Sequence, residues 1–146
     1  MTTTTNTKSG FTEAERAAMK ARAEELRAEG RGGAKKADEA QTLLDKIAEM
    51  PDEDRLLAER IHAIVSEVAP GLDAKTWYGM PAWAKDGKVL CFFKPASKFG
   101  VRYATLGFND PAQLDDGTIW PTEYAVTAMG DAEQEQVRRL IAKAAG

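Results

Sequence analysis

A single change of hydrophobic period, at Pro70-Gly71, limits the folds open to this chain more than any other feature. Ahead of it, apolar residues recur at helical spacing; behind it they alternate, as on half-buried strands. The aromatic residues divide at the same place. Ten of the eleven fall between Trp77 and Tyr124, and only Phe11 precedes them. The pattern predicts an α+β fold, with an antiparallel sheet of about four strands covered on one side by helices and an N-terminal helical extension.

Thr12 and Glu15 have capping-box spacing, which starts a helix over about 12–29 that ends at the glycine-rich GRGG of 30–33. Its apolar face is mostly alanine, so it is weakly anchored. A second helix, about 37–50, sets Ala40, Leu43, Leu44, Ile47 and Ala48 on one stripe. A third, about 52–69, does the same with Leu57, Ile61, Ile64, Val65 and Val68. Asp86-Gly87 is a two-residue hairpin signal between AWAK and KVLCFFK. Pro95-Ala96-Ser97 turns the chain into FGVRYATLGF, and a polar loop leads to IWPTEYAV. Asp131 caps a last helix that buries Val137, Leu140, Ile141 and Ala144.

Alternation assigns faces. In KVLCFFK, Lys88, Leu90, Phe92 and Lys94 point one way, and Val89, Cys91 and Phe93 the other. In KFGVRYATL, Lys98, Arg102, Ala104 and Leu106 share a side, opposite Phe99, Val101 and Tyr103. The charged strand ends mark the Lys88/Arg102 side as the less buried. Phe93 is therefore expected in the core and Phe92 in a basic-rimmed apolar patch.

The 146 residues fit one folded domain over 51–146, preceded by the helical extension at 11–50 and a disordered polar tail at 1–10. That tail lacks the apolar centre of a signal peptide, and no apolar run reaches the ~18 residues of a membrane span. A single cysteine forms no internal disulfide, which points to the cytoplasm. The net charge of −3 offers no strongly basic region, which argues against nucleic acid as a partner. The basic–aromatic alternation of KFGVRY is only a weak RNA-binding signal.

Catalytic chemistry is not marked. Cys91, within VLCFF, reads as a buried, inert thiol. His62, the only histidine, reads as solvated or capping, with Glu59 three residues earlier as a pairing candidate. The run Asp52-Glu53-Asp54 sits where carboxylates favour a helix N-terminus. No phosphate-binding glycine loop is present. The stretch TWYGMPAW, residues 76–83, has two readings. Its rings either lock a core corner or line a groove for a ligand or partner, and Pro81, which donates no hydrogen bond, suits an edge or a bend.

The strings KTWYGMPAWAKDGKVLCFF, RYATLGF and GTIWPTEYAV, in that order over about 56–145, resemble the YdhG-like family, a bacterial domain of unknown function. The resemblance implies a small α+β fold often compared with frataxin and, for some members, a role as an intracellular iron chaperone. In this chain Glu13, Glu15, Glu24, Glu25 and Glu29 of the first helix are interleaved with Arg16, Lys20, Arg22 and Arg27.

The leading expectation is a non-enzymatic cytoplasmic binding protein, by resemblance an iron chaperone or iron–sulfur accessory factor. The alternative is a small-molecule or protein-interaction module that uses an aromatic, basic-rimmed sheet face. An enzyme is least favoured. The candidate ligand-binding residues are Trp77, Tyr78, Met80, Pro81, Trp83, Phe92 and Arg102, with no catalytic residue assigned. Iron is implied by resemblance only, and no metal ligands are assigned.

Overall fold

The computed structural model describes residues 10–30 and 36–146. Helix α1 (Glu13–Gly30) opens on the expected capping box. Glu15 N–H donates to Thr12 Oγ1 at 3.0 Å, and Thr12 N–H donates to Glu15 Oε1 at 2.9 Å. Helices α2 (Lys36–Ala48) and α3 (Asp52–Val68) follow. Strands β1 (Asp73–Trp77), β2 (Met80–Lys85) and β3 (Lys88–Lys94) come next, then a one-turn helix α4 (Ala96–Phe99). Strands β4 (Ala104–Phe108) and β5 (Glu123–Val126) lead to helix α5 (Asp131–Ala145). Among the described residues no helix is long and apolar enough to cross a membrane. The tail expected at 1–10 lies outside the described residues except for Gly10.

The sheet is a five-stranded antiparallel meander in the order β1-β2-β3-β4-β5. The strand beyond the expected four is β1. It exists because Tyr78 (φ 54°) and Gly79 (φ 77°) form a tight left-handed turn that folds DAKTW back on MPAWAK. Asp86 (φ 51°) and Gly87 (φ 82°) repeat the device between β2 and β3. Of the two settings expected for Pro81, an edge or a bend, the edge is not found. Pro81 lies on a strand with neighbours on both sides, but the β2–β3 ladder starts at Ala82, so its missing N–H breaks no bond there.

The register defines two faces. Ala74, Trp83, Cys91 and Phe108 form one row of the inner face, and Leu106, Phe93 and Tyr124 continue it. These side chains share one core with Leu43 and Ile47 of α2, Leu57, Ile61, Ile64 and Val65 of α3, and Val137 and Ile141 of α5. On the outer face the central row is Lys75, Ala82, Phe92, Gly107 and Glu123, with Lys94, Thr105 and Ala125 alongside.

Three sequence expectations fail for local reasons. Leu90 is an extra residue between the pairs Trp83–Cys91 and Ala84–Val89, a bulge that reverses the alternation. Leu90 therefore joins Cys91 and Phe93 in the core, while Val89 packs with Phe92. Ala104 and Leu106 are also core residues, not neighbours of Lys98 and Arg102 on a freer side. The reason is that residues 96–99 coil into α4, ended by Gly100 in the left-handed region, and the strand begins only at Ala104. Finally, Asp131 is the first helical residue of α5 rather than its cap. Gly130 caps, and its N–H donates to Glu133 Oε1 at 2.9 Å.

Candidate functional site

Four of the seven candidates come together on the outer face. Met80 and Phe92, with Ala82, form a small apolar cluster against which Trp77, Tyr78, Val89 and Phe99 pack. The Trp77 ring meets Tyr78 edge-on at 5.0 Å and leans on Phe92 at 5.3 Å. Phe92 is not the open patch centre that alternation suggested. It is 8% exposed, because its ring lies over Gly107 on β4 and under Trp77.

Pro81 and Trp83 face the other way and are fully buried. Arg102 lies outside the aromatic cluster, beside a groove of about 570 Å³ along β3, β4 and β5. The floor carries Lys94, Thr105 and Ala125, which follow Phe92 and Gly107 along the outer face, and the wall carries Val101, Arg102 and Tyr103. The guanidinium of Arg102 stacks over Tyr103 at 5.1 Å, and the Lys94 ammonium sits 5.1 Å from the Phe99 ring centre. Two cations and exposed apolar side chains thus face Glu123, the one acid among the described residues that line the groove. Lys94 and Tyr103 were legible as neighbours of Phe92 and Arg102. Their convergence required the α4 turn, which sequence periodicity did not show.

Trp83 has its own polar contact. Its indole N–H donates to His62 Nδ1 at 3.2 Å, with the two rings roughly stacked. An indole nitrogen only donates, so His62 Nδ1 is unprotonated and the neutral ring carries its proton on Nε2. Burial lowers the His62 pKa from its ordinary value, in the same direction. The sequence reading of a solvated or capping histidine is corrected: His62 satisfies a buried indole. Beside the pair lies a cavity of about 340 Å³, lined also by Ser66, Leu72 and the ion pair of Lys36 with Asp73.

Two carboxylates do work that sequence did not reveal. Asp54 accepts hydrogen bonds from the N–H groups of Ala96 (3.2 Å) and Ser97 (3.1 Å), which fastens the start of α4 to α3. It is 3% exposed, unlike a solvated helix-start acid. Glu25 of α1 accepts from Tyr78 N–H and Gly79 N–H, both at 3.1 Å, one on each carboxylate oxygen. Each partner is more than forty residues away, so no local spacing could signal it. Cys91 is buried, and that burial pushes its thiol up to about 12. Among the described residues no three His, Cys, Asp or Glu side chains are grouped to hold a metal ion.

Comparison of the chain with protein families, with curated proteins and with solved structures finds no match in any of the three.

Proposed function

We propose that this chain is a non-enzymatic binding protein that takes its ligand on the outer face of the sheet. The observation that carries the reading is the groove in which Lys94 and Arg102 converge beside Tyr103, next to the Trp77–Phe92 cluster. A concave surface with exposed apolar side chains and a few convergent polar groups suits a small ligand. Here it selects an aromatic or apolar body bearing an anionic group, which the two cations receive. On the catalytic side, the one histidine gives its free lone pair to Trp83 and the one thiol is buried. The iron-chaperone or iron–sulfur accessory role and the cytoplasmic location rest on the YdhG-like motif strings and the single cysteine. No grouped set of ligands stands behind an iron site among the described residues.

The test uses anilinonaphthalene sulfonate, an aromatic anion, as a fluorescent probe. Saturable binding to the native chain that falls at least tenfold in Lys94→Glu and in Arg102→Glu supports the reading. Binding that both charge reversals leave unchanged overturns it.

A further inference from the structure

The β1–β2 turn holds an oxyanion, and that oxyanion is supplied by helix α1, which among the described residues adds no side chain to either core cluster. Successive residues in the left-handed region point their N–H groups into one concavity, a backbone nest suited to an anion. Tyr78 and Gly79 form such a nest, and the Glu25 carboxylate fills it with one oxygen on each amide at 3.1 Å. Lys98 of α4 completes the wall, with its Nζ 3.5 Å from the Gly79 carbonyl oxygen that accepts from it. The site is tight. A Cβ at Gly79 would lie 2.7 Å from Lys98 Nζ and 3.3 Å from the Ala21 methyl.

A second two-amide clamp among the described residues shows what differs. Asp54 belongs to α3, which buries Leu57, Ile61, Ile64 and Val65 in the main core, so that clamp cannot be released without unfolding. Among the described residues, helix α1 places none in either core cluster. Ala18 is its one buried side chain among those described, and Met19 and Leu26 stand exposed. It also has polar ties to β1 and its turn. Arg22 lies over the Tyr78 ring at 5.9 Å, and Lys75 pairs with Glu29 at 3.0 Å.

We infer that the Tyr78–Gly79 turn, with Lys98, is a carboxylate-binding site and that Glu25 is its internal, displaceable occupant. A flat carboxylate from a small acid or a peptide side chain presents the same two oxygens that Glu25 does. While α1 is docked, the site is open only for the fraction of time the helix is released. Apparent affinity is reduced by that fraction. The inference stands apart from the outer-face groove, because its donors are backbone amides that the Lys94 and Arg102 substitutions leave in place.

The experiment titrates succinate, and separately inorganic phosphate, into the full chain and its Glu25→Ala variant while following the Tyr78 and Gly79 amide resonances. In the variant, succinate is expected to move both resonances saturably. The wild type should need at least tenfold more, and succinate should act more strongly than phosphate. A stronger response to phosphate would overturn the carboxylate assignment. Equal titration of wild type and variant, or no movement of either amide, would overturn the inference. So would global unfolding of Glu25→Ala, since α1 would then be a structural member rather than an exchangeable one. Arg22→Ala, which keeps Glu25 but loosens the helix, should lie between wild type and Glu25→Ala in succinate sensitivity.

Discussion

Replacing Gly107 by alanine isolates the contact that holds the outer face together. Gly107 does not use the left-handed region, so an alanine there adds no backbone strain. What it adds is a methyl group 2.2 Å from Phe92 Cζ, with the two Cε atoms at 2.6 and 2.8 Å. Carbon atoms rest about 3.5–4.0 Å apart, so the ring must move by more than ~1 Å. It cannot slide toward β2 freely, because Trp77 occupies that side at 5.3 Å. Overpacking of this kind costs ~1–3 kcal/mol, partly offset by the ~0.4–1 kcal/mol an alanine saves in unfolded-chain entropy. We expect a net loss of about 1–2 kcal/mol in urea unfolding. Phe92→Ala alone should cost about 3 kcal/mol, toward the lower end for a buried Phe because its cluster is small. In the double variant the clash has no partner, so it should be no less stable than Phe92→Ala, a coupling of at least ~1 kcal/mol. A neutral Gly107→Ala, or strict additivity with Phe92→Ala, would refute the ring-over-glycine packing.

Three further outcomes follow from the polar and titratable groups. Asp54→Ala removes the acceptor of two buried N–H groups and should cost about 1.5–3 kcal/mol in denaturant unfolding, with faster hydrogen exchange at Ala96 and Ser97; unchanged exchange there would count against the clamp. His62, with its folded pKa below 6.5, leaves stability complete above that value, and stability is lost as pH falls from 6.5 toward the folded pKa, because only the unfolded chain takes up the proton readily. Comparing unfolding at about pH 8 and about pH 5, His62→Gln should flatten this part of the curve, and an equal slope in the variant would contradict the assignment. Cys91, its thiol pushed up to about 12, should resist thiol reagents in the native chain and react once denatured; fast stoichiometric labelling of native protein would show that the strand opens.

Helices and hairpin turns were legible because their signals are local. The Thr12–Glu15 box, the stripe through Leu57, Ile61 and Ile64, and Asp86-Gly87 each act within a few residues. Strand β1 carries a local signal of its own in Tyr78-Gly79, a turn with glycine at its second position. Faces were harder. One bulged residue, Leu90, reverses every assignment before it on β3, and period-two patterning carries no mark of such an insertion. The turn α4 depends on Asp54, so a stretch that alternates like a strand becomes helical through a contact forty-two residues away. The candidate site inherited both errors. Trp77, Tyr78, Met80 and Phe92 do share a surface, whereas Trp83 and Pro81 lie across the sheet from them.

The outer face as a ligand surface is tested most directly by mapping amide chemical-shift changes as anilinonaphthalene sulfonate is titrated into the full chain. The account predicts changes concentrated on Lys94, Arg102, Tyr103, Thr105 and Ala125, with the β1–β2 turn and the inner face quiet. Changes centred on His62 and Trp83, or spread without a focus, would contradict it.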